Sequence, residues 1–243
     1  ACIAATLSDS HLRGFFFGNY DEADVMSTYE RMAKVVSASP KAGYARADVY
    51  DPQPGATYLL NRDVPVEDLG MLYAFAAPQA SVKNRALSRI LARHLRVRAF
   101  ETLRTEEQLG YAAGGGSLDL YQHPMVIFYI QTPVKGPQAM LDRFNQYTIE
   151  YREELANLSQ DSFEKFKAGV LTSLTEPPKN LSSEAGPFAS DWAIENYDFD
   201  SRDELITAVE SATLDDVRAF FDSTVFSEER SRLVIQLRGT RFA

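Results

Sequence analysis

Between Phe100 and Tyr111 the chain reads Phe-Glu-Thr-Leu-Arg-Thr-Glu-Glu-Gln-Leu-Gly-Tyr. Arg104 carries a permanently charged, planar set of donors, and Tyr111 carries a phenol. Two such donors on either side of a turn can meet a carbonyl or a carboxylate. Thr105 followed three residues later by Gln108 has the spacing of a capping box, and Gly110 has the backbone freedom to end a short helical turn. This predicts Arg104 just before a pinned turn and Tyr111 just after it. A plainer role also fits: Arg104 paired with a neighbouring carboxylate, and Tyr111 filling a half-buried strand position. From spacing, both stand.

Other residues offer less chemistry. His11, His94 and His123 lack the His-x-x-x-His or His-x-x-Glu-His spacing of a zinc helix, so no metal site is expected within this chain. His94 reads as an interfacial residue of its helix and His123 as a turn residue before Pro124. No Gly-x-Ser-x-Gly elbow and no phosphate-binding Gly-x-x-x-x-Gly-Lys loop occurs. The acidic pairs Glu106-Glu107, Glu153-Glu154 and Asp215-Asp216 suit helix first turns or polar faces. Cys2, the one cysteine, excludes an internal disulfide and has no local catalytic partner. On residues alone the chain reads as a globular domain without a self-contained active site.

The elements that must position these groups can be read from periodicity. Leu12–Phe17 is a β-prone run ended by Gly18-Asn19. Asn19 and Glu22 then mark the start of a helix with Val25, Tyr29, Met32, Ala33 and Val36 at helical spacing, stopped by Pro40. Residues Lys41 to Gly55 are rich in Pro and Gly and read as a linker, placing a boundary between a 1–45 segment and a 46–243 domain. Tyr58–Leu60 and Gly70–Ala76 read as strands, the second apolar on both faces like a central strand. Ser81 caps a helix whose stripe Val82, Ala86, Leu87, Ile90, Leu91 and Leu95 lies opposite Arg85, Arg89, Arg93 and Arg96.

After Tyr111 come Gly114-Gly115-Gly116 and then Met125–Thr132, two strands with a turn centred on Gln122-His123-Pro124. The triple glycine fits either close approach by another chain's backbone or a bulge. Pro137 opens a helix to about Leu158, and Ser159 caps another that Pro177-Pro178 end. Further helices are expected over 182–196 and behind the pairs Ser201/Glu204 and Thr213/Asp216. Leu233–Leu237 closes the chain as a strand. It echoes Leu12–Asn19 in ending on Gly plus a small polar residue, as if each closed a similar unit. Strands paired in hairpins among runs of helices predict an α+β fold, a mainly antiparallel sheet with helices packed on one face.

The 243 residues suffice for one large domain or a domain plus a fragment, and 45% apolar with 24% charged residues is ordinary globular composition. A net charge of −9 argues against a nucleic-acid binder. The basic run from Arg85 to Arg104 reads as a solvated helix face that could attract an acidic segment or a partner. No apolar run approaches the roughly 20 residues of a membrane span. Ala1–Leu7 lacks the features of a secretory signal, and the chain could begin in mid-protein. A soluble protein is expected, with periplasm and cytoplasm both open.

Leu103-Arg104-Thr105-Glu106-Glu107-Gln108-Leu109-Gly110-Tyr111 resembles a motif in the C-terminal part of the pitrilysin and insulin-degrading enzyme family of zinc metallopeptidases. The likeness continues through Phe128–Thr132, through Pro177-Pro178-Lys179-Asn180-Leu181 with Glu184, and through Tyr197–Asp200. Gly18-Asn19 and the helix after it look like the end of the family's third domain. The resemblance implies four similar α+β domains of the metallopeptidase-like type, folded as two halves around a chamber. It places zinc in a His-x-x-Glu-His helix of the N-terminal half, with residues 1–45 ending domain three and 46–243 forming domain four. Arg104 and Tyr111 are then implied to contact peptide substrate and the tetrahedral oxyanion, auxiliary to zinc held elsewhere. The glycine-rich segment after Tyr111 departs from the family pattern. The partners implied are a peptide and either the N-terminal half or a zinc-bearing partner chain, without nucleic acid or membrane. The alternative is a catalytically silent partner or assembly subunit of a heterodimeric peptidase.

Overall fold

A computed structural model describes residues 11–36 and 52–242 of the chain. The expectations for Cys2, for residues 1–7, for Pro40 and for the linker up to residue 51 lie outside them. Two compact units result, Ala1–Val49 with Pro177–Ser201, and Tyr50–Glu176 with Arg202–Ala243.

The larger unit is built on a five-stranded sheet of β1 (Thr57–Asp63), β2 (Leu69–Ala76), β3 (Ala112–Leu120), β4 (His123–Thr132) and β5 (Arg232–Arg238), ordered β1-β5-β2-β4-β3. Only the β1/β5 pair is parallel. β2 is the central strand, as its two-sided apolar pattern predicts. β1 and β2 do not pair with each other, because the closing strand β5 inserts between them and pairs Leu72 with Ile235. The turn of the β3–β4 hairpin is Tyr121-Gln122, not a loop around Gln122-His123-Pro124. Both turn residues have positive φ, 47° and 70°, matching the twist of tight hairpins, and His123 already lies in β4.

Helices cover one face of this sheet: α2 (Val82–Ala99), α3 (Pro137–Ala156), α4 (Gln160–Thr175), α6 (Ser201–Ser211) and α7 (Leu214–Val225). Caps set their starts. Ser81 accepts from the Asn84 N–H, Ser159 from Ser162, and Thr213 with Asp216 forms a full capping box; Pro137 opens α3. Leu69, Met71, Tyr73 and Phe75 of β2 alternate into the helix layer, where the Tyr73 and Phe144 rings lie 6.4 Å apart. Burying each such large side chain contributes about 1.5–3 kcal/mol. The triple glycine forms no bulge, since β3 keeps unbroken register with β4. Gly115 instead admits α2: a Cβ there would sit 2.8 Å from Leu95 Cγ.

In the smaller unit, α1 (Glu22–Val35) is capped by Asp21 rather than Asn19, and none of its residues is buried. Leu12–Phe17 forms no strand, so its echo with β5 does not extend to structure. Its rings pack instead on α5 (Leu181–Ala193), with Phe17 5.5 Å from Phe188 and Arg13 4.6 Å over Trp192.

Candidate functional site

The Phe100–Tyr111 stretch is a direct continuation of α2. The helix does not stop and restart at Thr105; it widens into a π-helical segment, Phe100–Glu106, in which the Glu107 N–H donates to the Thr102 carbonyl five residues back. The capping box of Thr105 and Gln108 is therefore absent. The helix is ended by Gln108, which takes the left-handed conformation at φ 52°, and not by Gly110. Such π segments are concentrated at functional positions.

The turn is fastened from several sides. Leu103 and Leu109 are buried, and the Leu109 N–H reaches the Leu103 carbonyl. The Thr132 hydroxyl donates to the Leu109 carbonyl. Glu107, expected to be a solvated first-turn acid, accepts a two-armed bond from the Arg143 guanidinium of α3, with Nε at 2.8 Å from Oε2. Arg143 also reaches Glu150 at 2.8 Å. Its hydrogen bonds with Glu107, ahead of all other causes, raise its pKa. Gly110 is required by close approach, since a Cβ there would lie 2.0 Å from the Gln131 carbonyl oxygen of β4.

This frame brings the two predicted site residues together. The Arg104 guanidinium carbon lies 4.6 Å from the centre of the Phe100 ring and 5.2 Å from that of Tyr111. Among the described residues Arg104 has no ion pair, and Tyr111 is 84% exposed, so neither takes the plainer role its spacing allowed. Stacking on two rings orients the guanidinium without occupying its N–H donors. Phe100 was not singled out from the sequence, although its position four residues before Arg104 is the spacing at which helical side chains meet. The Glu107–Arg143 clamp joins residues 36 apart and has no local signal. Arg104 and Tyr111 stand outside the clefts described on α1 and between α2 and α4.

The remaining candidates resolve into structure. His94 is buried, with Nδ1 2.9 Å from the Tyr151 hydroxyl and Nε2 3.7 Å from Glu154. Burial, then the Arg98 charge, lowers its pKa to about 4. His123 Nε2 lies 2.8 Å from the Ala77 carbonyl oxygen. Among the described residues no three His, Cys, Asp or Glu side chains are grouped to hold a metal ion. No helix among them is long and apolar enough to cross a membrane.

Comparison with known proteins agrees with the motif. Residues 90–189 match a family described as PQQ synthase PqqF-like, C-terminal lobe domain 4. Protease 3 of Escherichia coli K12 is 26% identical over 158 residues, 65% of this chain and 16% of that protein. The A-factor-processing enzyme of Saccharomyces cerevisiae is 28% identical over 154 residues, 63% of this chain and 15% of that protein. The chain thus spans under a fifth of the length of either relative. Among solved structures, pitrilysin superposes with a TM-score of 0.83 over 92% of this chain and 24% of its own, at 22% identity. The larger unit's fold, the Arg104–Tyr111 motif and these matches agree with one another: the chain is similar to the C-terminal portion of the pitrilysin-type (M16) metallopeptidases.

Proposed function

We propose that this chain is the C-terminal part of a zinc metalloendopeptidase, forming some of the wall around the substrate and presenting Arg104 and Tyr111 to the peptide bond under attack. Residues 1–45 close one domain in this reading, and 46–243 form the next. The observation that carries it is an exposed phenol stacked with a guanidinium that no described carboxylate neutralises, on a turn fastened by Arg143–Glu107 and by the Gly110–Gln131 approach. The zinc lies outside this chain and supplies the activated water. What these residues do is donate. As a carbonyl becomes a tetrahedral oxyanion, fixed donors aimed at the growing charge stabilise it more than they stabilise the ground state.

The test is steady-state peptide cleavage by the intact protein. Arg104→Ala is expected to lower kcat/KM on the order of 100-fold, and Tyr111→Phe about tenfold, with melting temperatures unchanged because neither side chain is in the core. Unaltered turnover in Arg104→Ala sinks the assignment. If the intact protein cleaves peptides only with a second, zinc-bearing chain, the silent-partner alternative replaces it.

A further inference from the structure

The arginine run of α2 is not absorbed by the function above. Facing α4 and β3, it borders a cleft of about 230 Å³ lined by Arg89, Arg93, Arg96, Ser117, Val170 and Leu174 among others. Residues 89, 93 and 96 follow helical spacing, so their side chains share one stripe. The nearest acid in this group is Asp119, whose Oδ2 lies 3.0 Å from Arg85 Nε and 4.0 Å from Arg89. Among the described residues Arg93 and Arg96 have no ion pair. Four guanidiniums against one carboxylate leave about three positive charges uncompensated, on a chain whose net charge is −9.

The cleft also has a seat for one of them. The Arg93 guanidinium rests against the α4 backbone at Gly169, where a Cβ would lie 2.4 Å from Nε and 2.7 Å from Cζ. A surface arginine without a partner ordinarily keeps its rotamer freedom, whereas this one fills a gap left by a missing side chain. Burial, and next the charge of Arg85, lowers the Arg89 pKa, a cost that a bound anion would relieve.

We propose that this cleft binds a phosphate-type oxyanion carrying two or more negative charges. A monocarboxylate would leave most of the positive charge unanswered. A phosphate group offers oxygens to several planar guanidinium forks at once.

Inorganic pyrophosphate titrated into the intact protein by calorimetry, at ionic strength held constant with chloride, tests this. Saturable binding is expected, weakened about tenfold by Arg93→Gln. Gly169→Ala should weaken it similarly, because it keeps every charge yet pushes the guanidinium off its seat. Alanine is the better helix former, and thermal melts without anion verify that both variants fold. Pyrophosphate held by a metal elsewhere in the protein is untouched by either change. No saturable binding, or binding that Gly169→Ala leaves within twofold of the parent, overturns the proposal.

Discussion

Arg104 illustrates how a surface cation can be kept oriented without being neutralised. An ion pair would fix it more firmly, but would occupy its N–H donors. Two aromatic faces at 4.6 and 5.2 Å hold the guanidinium plane and leave its N–H groups available. The residue beneath this arrangement is Gly110. A methyl group there would collide with the Gln131 carbonyl, a backbone atom that cannot swing aside. Gly110→Ala is therefore expected to destabilise the fold by about 3 kcal/mol, read as a lowered melting temperature, and to disturb the Arg104–Tyr111 pair. A melt matching the parent's would show that β4 yields there at no cost. The sequence indicates a glycine at this point because a helix has to end nearby. It does not indicate that Gln108 takes the left-handed turn, or that the glycine is needed for approach to β4, since both depend on a strand twenty residues away.

At the scale of elements, the caps and stripes of α2, α3, α4 and α7 are legible because their causes are local. Ser81, Pro137, Ser159 and Thr213 act within four residues, and apolar spacing follows from 3.6 residues per turn. β5 between β1 and β2 is not legible, because nothing near residue 60 reports on residue 235. The π segment is likewise set by tertiary anchors, Leu103 in the core and Arg143 on Glu107, which hold the helix end where an α-turn would misplace them. The α2–α3 contact carries a pH signature. His94 is buried neutral against Tyr151, with its pKa lowered to about 4 from an ordinary value of 6.5. A group depressed in this way binds more protons when unfolded, so stability is full above about pH 6.5 and falls as the pH drops toward 4. Asp216, lowered to about 2 chiefly by its hydrogen bond with Lys83, acts only in a more acidic window, below its ordinary 3.8. Melts at pH 7 and pH 4.5 are expected to differ more for the parent than for His94→Gln; equal differences would remove His94 as the cause.

At the scale of the whole molecule, the chain covers 15–16% of the length of two of its relatives. Composition and a net charge of −9 argue against a nucleic-acid partner, and the nine residues Leu103–Tyr111 carry the resemblance to the family. What they could not show is the geometry that gives the motif its chemistry: an exposed tyrosine, a stacked arginine and a clamp built from α3. The central claim is that this edge of the domain faces a bound peptide at its point of cleavage. Photo-crosslinking tests it most directly. A photoreactive phenylalanine analogue at position 111 of the intact, metal-depleted protein, irradiated with an uncleaved peptide substrate, should join to residues flanking the scissile bond. Crosslinks only to the protein itself, or to peptide residues remote from that bond, would contradict the claim.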